Sequence, residues 1–245
     1  MSDESDVMKR DVLDHGFVRL VDSMGNDLSV VRAARVSHDA AWRAGEDTGS
    51  DVRLIRYLAA NNHTTPFEAV SFTFEVKAPI FVMRQWHRHR TWSFNELSAR
   101  YRELPEEYYL PDVNRVGEQS MSNKQGTQTS STDRSGDIYY MKCAIEKSFE
   151  EYRRLLKNNW PRELARSVLP VATYSHMFAT VNLLNLVRFL KLRCDPHAQY
   201  EIRVYADAMR ELASKMAPAS IEAWFQQKSS RRPQPRRNET CSLRR

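Results

Sequence analysis

The residues best equipped for chemistry in this chain are consecutive: Arg84-Gln85-Trp86-His87-Arg88-His89-Arg90-Thr91-Trp92-Ser93-Phe94-Asn95-Glu96-Leu97-Ser98-Ala99-Arg100-Tyr101. The stretch holds four arginines, two histidines, two serines, an asparagine, a single carboxylate and several aromatic rings. A packed core has little use for that mixture, because each buried charge must be paired or it destabilises the fold by several kcal/mol. A site that grips phosphates and a flat heterocycle uses all of it. Guanidinium forks bind phosphate oxygens bidentately, hydroxyls and amides add neutral donors, and aromatic faces accept stacked rings.

Other ways of holding a nucleotide are missing. Only seven glycines occur, with neither a GxGxxG after a strand nor a GxxxxGK[ST] loop. A nucleotide must then be held by side chains and helix starts, which points to Arg88, Arg90, Arg100, Arg166 and Arg193. His87 and His89, two apart, could ligate a metal from an extended segment. No third His or Cys stands at ligand spacing, so contact with phosphate is the better use for them and no metal is expected. His63, before Thr64-Thr65-Pro66, suits a helix C-terminus. Cys143, Cys194 and Cys241 form neither a disulfide framework nor a zinc spacing. Only Cys194 stands beside a cation, Arg193, and no base accompanies it, so a thiol nucleophile has little support.

Composition narrows the class. With 41% apolar and 28% charged residues the chain has an ordinary globular composition. No apolar run is long enough to span a bilayer, and the acidic start Met1-Ser2-Asp3-Glu4 does not read as a signal peptide. A reduced, cytoplasmic protein is expected. The net charge of +6 owes much to a basic segment over residues 228–245, which reads as a flexible tail behind a single domain over 1–227. Two function classes stay open at this point. One is an enzyme acting on a nucleotide; the other is a nucleic-acid-binding module using the tail and the arginine stretch, although a near-neutral body argues against specific nucleic-acid binding.

The elements that must position these residues follow from periodicity. Residues 12–24 read as a strand stopped by Gly25-Asn26, and 29–38 as a short helix. Asp51 is expected to cap a helix running to about Asn61, broken where Thr65 is pushed from helical geometry by Pro66. Val70-Ser71-Phe72-Thr73-Phe74-Glu75-Val76 alternates as a half-buried strand, and Pro79 opens a helix into the arginine stretch. Ser93 and Glu96 have capping-box spacing, which predicts a second helix there with Glu96 and Arg100 on one face. Residues 113–136 read as a polar insertion. An amphipathic helix over 137–158 is predicted to bury Tyr140, Ile145, Phe149, Tyr152 and Leu156. A short helix from Pro161, a strand over 171–181, and helices over 182–193 and 197–216 follow. The sum is an α+β fold, a small sheet packed by helices.

Arg88-His89-Arg90-Thr91-Trp92-Ser93-Phe94-Asn95-Glu96-Leu97-Ser98-Ala99-Arg100 matches the RHRxxSxNxxSxR signature of the flavin-dependent thymidylate synthases, seven specified positions in thirteen. The likeness continues in Arg32-Ala33-Ala34-Arg35-Val36-Ser37, Thr65-Pro66-Phe67-Glu68, Lys77-Ala78-Pro79-Ile80-Phe81-Val82, Pro161-Arg162-Glu163-Leu164-Ala165-Arg166, Phe189-Leu190-Lys191-Leu192-Arg193 and His197-Ala198-Gln199-Tyr200-Glu201. About residues 10–225 resemble this family, less the insertion.

The resemblance implies a homotetramer with active sites shared between subunits. It also implies methylation of deoxyuridine monophosphate (dUMP) to thymidine monophosphate (dTMP). 5,10-Methylenetetrahydrofolate would supply the carbon, and flavin adenine dinucleotide (FAD) reduced by NADPH the hydride. It assigns Thr65, Arg88, His89, Arg90, Glu96, Asn182 and the position of Arg188 to the flavin. Gln85, Trp86, His87, Arg88, Glu96, Leu97, Ser98, Ala99, Arg100, Arg166 and Arg193 fall to the substrate, with Arg193 as the catalytic arginine. An arginine stays charged at any working pH, so it stabilises negative charge on the pyrimidine and does not act as a base. Two positions depart from the pattern. The family often has His or Arg at Leu184 and His or Asn at Arg188, which leaves a catalytically impaired homologue as a further alternative.

Overall fold

The structure, a computed structural model, describes residues 7–121, 126–128 and 132–226; the basic tail expected over 228–245 lies outside them. In chain order the elements begin with strands β1 (Lys9–Val12) and β2 (Gly16–Met24), then helices α1 (Asp27–Arg35) and α2 (Thr48–Ala60). Strand β3 (Ser71–Pro79) runs into α3 (Ile80–Trp86), followed by β4 (Ser93–Glu96) and the short strands β5 (Glu118–Gln119) and β6 (Thr127–Gln128). Next come α4 (Ser135–Lys157), α5 (Arg162–Ala165), β7 (Tyr174–Asn182), α6 (Leu183–Arg193), α7 (Tyr200–Met216) and α8 (Pro218–Gln226). Five strands form one antiparallel sheet in the order β1-β2-β3-β7-β4.

The sheet forms because β3 carries apolar residues at every second position. Phe72, Phe74, Val76 and Ala78 are buried on one face, and β7 sends Met177, Ala179 and Val181 to the same core. Helices α1, α2, α6, α7 and α8 cover that face with residues such as Val31, Ile55, Leu186, Met209 and Trp224. A smaller cluster gathers Ile145, Phe149 and Tyr152 of α4 with Ala165 and Ala172. It joins the sheet where the Tyr174 N–H donates to the Glu107 carbonyl.

Several local expectations change. The run 12–24 is broken after Val12: β1 and β2 form a hairpin that turns over residues 13–15, with Leu13 at φ 60° and Gly16 paired with Val12. Gly16 is needed there, since a Cβ would lie 2.0 Å from the Tyr205 hydroxyl, which donates to the Lys77 carbonyl. Helix α2 is capped by Asp47, whose carboxylate accepts from the Ser50 N–H. Asp51 instead turns inward, buried, to the Arg35 guanidinium at 2.7 Å and the Gly45 N–H. Thr65 opens a 3-10 turn (Thr65–Ala69) with Pro66 second, since the locked proline φ suits a helix start as well as a break. In α4 the buried stripe is Ile145, Phe149 and Tyr152, while Tyr140 is exposed because the first turns extend past the small cluster. Within the insertion, β5 and β6 pair with each other.

The largest correction concerns Ser93–Glu96. It is an edge strand, Ser93 opposite Thr180 and Glu96 opposite Met177. Strand β7 would otherwise present an unpaired edge, and satisfying that ladder outweighs a local capping box. Glu96 accordingly accepts from the Ser175 hydroxyl at 2.6 Å and does not reach back to Ser93. The helical relation expected between Glu96 and Arg100 falls with the helix.

Candidate active site

Arg193 is the last residue of α6, where a cation complements the helix C-terminal carbonyls. The helix places it by burying Leu183, Leu184, Leu186, Val187, Phe189 and Leu190 on one side. The half-buried guanidinium meets three acceptors from α3 and the turn after it. Arg193 Nε donates to His89 Nε2 at 3.1 Å, Nη2 to the Gln85 carbonyl at 3.2 Å, and Nη1 to Gln85 Oε1 at 3.5 Å. All three acceptors are neutral, and among the described residues no carboxylate pairs with Arg193. Burial, and then the charge of Arg88, holds the Arg193 pKa below its ordinary value. The centre therefore keeps an uncompensated positive charge partly out of water, where it attracts an anion or a developing negative charge more strongly than an ion-paired arginine could.

His89 is an acceptor at Nε2, so its remaining proton sits on Nδ1. Burial first, and Arg193 second, lower its pKa to about 4. The unfolded chain takes up this proton near the ordinary 6.5 and the folded chain only near 4. Between those values the folded state binds fewer protons, so this stabilisation is full above pH 6.5 and is lost as pH falls toward 4. Thermal unfolding of wild-type and His89→Asn protein at about pH 7 and about pH 4.5 checks the sign. The wild-type midpoint should fall further than the variant's; equal falls would remove the linkage.

The other expected residues divide into distinct groups. Arg100 pairs through Nε with Glu163 at 3.3 Å, and Arg166 Nε donates to the Glu163 carbonyl at 3.4 Å. Ser98 accepts from the Arg100 N–H at 3.3 Å, and the Leu97 N–H donates to the His176 carbonyl at 2.7 Å. Among the described residues no hydrogen bond or ion pair joins this group to Arg193. Arg88 and Arg90 are exposed and make no ion pair there either, which leaves their forks open to phosphate oxygens. His87 is exposed with its ring edge against Phe94 at 4.7 Å. Asn182 caps α6 by accepting from the Asn185 N–H, and Arg188 donates from the exposed side of that helix to Asn185 Oδ1. Thr65 is exposed at the start of its 3-10 turn.

Two of the expected substrate residues have their side chains in the core. The Trp86 indole is fully buried, stacked on Phe189 with centroids 5.0 Å apart, and Ala99 is buried as well. An apolar side chain between charged neighbours serves here to anchor them. Leu184 also points into the core, where an apolar residue is at home. Sequence reasoning missed Glu163 as the residue joining Arg100 to Arg166. It gave no role to Gln199, whose Oε1 accepts from Gln85 Nε2. Arg100 and Glu163, like Gln85 and Gln199, are far apart in the chain, so spacing carries no signal for those pairs.

A mixed helix and sheet fold whose open cations come from side chains, without a glycine loop, defines a class of nucleotide-handling proteins that grip by guanidinium forks. Residues 19–219 match the family model described as thymidylate synthase complementing protein. The chain is 44% identical over 218 residues to the flavin-dependent thymidylate synthase of Thermotoga neapolitana, covering 89% of this chain and 94% of that one. It is 45% identical over 219 residues to the flavin-dependent thymidylate synthase of Gluconobacter oxydans, covering 87% of this chain and 71% of that one. The solved structure of the UMP/dUMP methylase PolB from Streptomyces cacaoi, bound with 5-Br dUMP, aligns with a TM-score of 0.80 at 42% identity, covering 89% of this chain and 97% of that one. The chain belongs to the flavin-dependent thymidylate synthase family.

Proposed function

We propose that the protein methylates dUMP to dTMP, with carbon from 5,10-methylenetetrahydrofolate and reducing equivalents from NADPH by way of FAD. The observation that carries this reading is the half-buried Arg193, held by His89 and Gln85 with no carboxylate among the described residues to neutralise it. Such a guanidinium donates to a pyrimidine that is becoming anionic and lowers the energy of that charge as it grows. It remains protonated through the working range and removes no proton itself. His89, neutral, keeps the fork aimed without quenching it. The unpaired forks of Arg88 and Arg90, with Thr65, Glu96, Asn182 and Arg188, would hold the flavin nucleotide. Flavin, once bound, supplies the hydride, and the chain's part is to orient it and exclude water.

Gln85, Ser98, Arg100 and Arg166 would hold the substrate. That no hydrogen bond or ion pair among the described residues joins the Arg100–Arg166 group to Arg193 fits a homotetramer whose subunits complete each other's sites. No described helix is long and apolar enough to cross a membrane, and a cytoplasmic location fits the substrates proposed. Purified protein should be yellow and should form dTMP when given dUMP, methylenetetrahydrofolate and NADPH. Running UMP in parallel reports whether the chain, like the UMP/dUMP methylase PolB, accepts both nucleotides. A colourless protein that reconstitution with FAD leaves inactive would contradict the proposal. Removing residues 228–245 should leave turnover within about twofold, whereas a nucleic-acid binder that used this segment would lose most of its affinity.

A further inference from the structure

Gln85 does not stand alone behind Arg193. Its Nε2 donates to Gln199 Oε1, Gln199 Nε2 donates to Glu201 Oε2 at 2.8 Å, and the Tyr109 hydroxyl donates to Glu201 Oε1 at 3.0 Å. The segment carrying Gln199 is itself fixed. Asp195 Oδ1 accepts from the His197 N–H at 2.9 Å, and Arg203 donates to the Pro196 carbonyl at 2.9 Å. The Tyr200 ring lies 3.5 Å from the Arg115 guanidinium.

The direction of this chain follows from the chemistry of its ends. A carboxylate only accepts hydrogen bonds, and a guanidinium only donates them, whereas a primary amide has one end of each kind. Glu201 therefore obliges Gln199 to turn its NH2 toward the carboxylate and its oxygen toward Gln85. Gln85 must then give its own NH2 to Gln199 and present its oxygen to Arg193. Reversing either amide would set donor against donor at one of the contacts. We infer that Glu201 is a positioning residue for Arg193, setting through Gln199 the orientation of the Gln85 amide. The inference rests on the catalytic reading of Arg193, but its structural half can be tested without turnover.

Flavin-loaded, full-length Glu201→Leu protein should show about tenfold lower kcat, the size expected for losing one ordering hydrogen bond. Flavin content and the KM for methylenetetrahydrofolate should stay near wild type. Glu201→Gln should recover most of the loss, because its carbonyl can still accept from Gln199 while its NH2 donates to the Tyr109 hydroxyl oxygen. Adding Glu201→Leu to Gln85→Leu should cause no further fall; independent, multiplied losses would mean that Glu201 acts by another route and would overturn the inference. Should Glu201→Leu fail to fold, Gln199→Leu breaks the same connection at an exposed side chain and carries the same expectations.

A crystal structure of the ligand-free leucine variant separates this inference from the functional reading. Gln85 Oε1 turned away from Arg193 is expected, and an unchanged contact overturns the inference whatever the protein catalyses. Conversely, wild-type protein that makes no dTMP strikes the functional reading, while that crystal structure still decides the role of Glu201. A Glu201→Leu enzyme with wild-type kcat sinks the positioning role and leaves the reaction standing.

Discussion

Arg193→Ala is expected to lower kcat by about 100- to 1000-fold, the usual loss when one preorganised donor to a developing anion is removed. Flavin content should change little, because among the described residues Arg88 and Arg90 make no hydrogen bond with Arg193, whose partners are His89 and Gln85. Arg193→Lys should restore only a small part of the rate. A lysine is a point charge on a flexible stem and cannot reproduce three contacts made from one planar fork. Steady-state kinetics together with the flavin-to-protein absorbance ratio check both halves. A variant with near-wild-type kcat would remove Arg193 from the reaction, and one that loses flavin in proportion to rate would make it a cofactor ligand.

The second large effect is on stability. Trp86→Ala should destabilise the fold by about 3–5 kcal/mol, as for other large aromatic truncations in packed cores. The indole is fully buried and meets Phe189, Trp92 and Tyr205 with centroids 5.0, 5.9 and 6.1 Å away. These four rings tie α3 to α6 and α7, the helices that bring Gln85, Arg193 and Glu201 together. Urea unfolding should show a lower midpoint with an unchanged slope, and residual activity should decline with temperature well before that of wild type. Trp86→Phe, which keeps a ring in place, should lose much less. If the alanine variant were as stable as wild type and impaired only in substrate binding, the indole would belong to the site and not to the core.

The contrast between Trp86 and its neighbours shows what the sequence could convey. The arginine-serine stretch was legible as a gripping surface because its residue types have no economical place inside a protein. Which members turn inward was not legible, since Trp86 and His89 face the core side of a short helix and turn whose orientation depends on α6. Strand β3 could be read from its alternation because one face is fully buried. Ser93–Glu96 could not, because its conformation is decided by a partner eighty residues later. Asp51 shows the same limit on a smaller scale. Its spacing suited a cap, but Asp47 lay one turn earlier, and the half-buried Arg35 guanidinium claimed the buried Asp51 as a counter-ion. The hydrogen-bonded series from Tyr109 through Glu201 and Gln199 to Gln85 draws on three separate parts of the chain, and no local pattern announces it.

The most direct test is a crystal structure of the protein with dUMP and FAD bound. The Arg193 guanidinium should lie at hydrogen-bonding distance, about 3 Å, from a heteroatom of the pyrimidine while still held by His89 and Gln85. A pyrimidine bound away from Arg193, with that guanidinium facing only protein and solvent, would contradict the proposed chemistry.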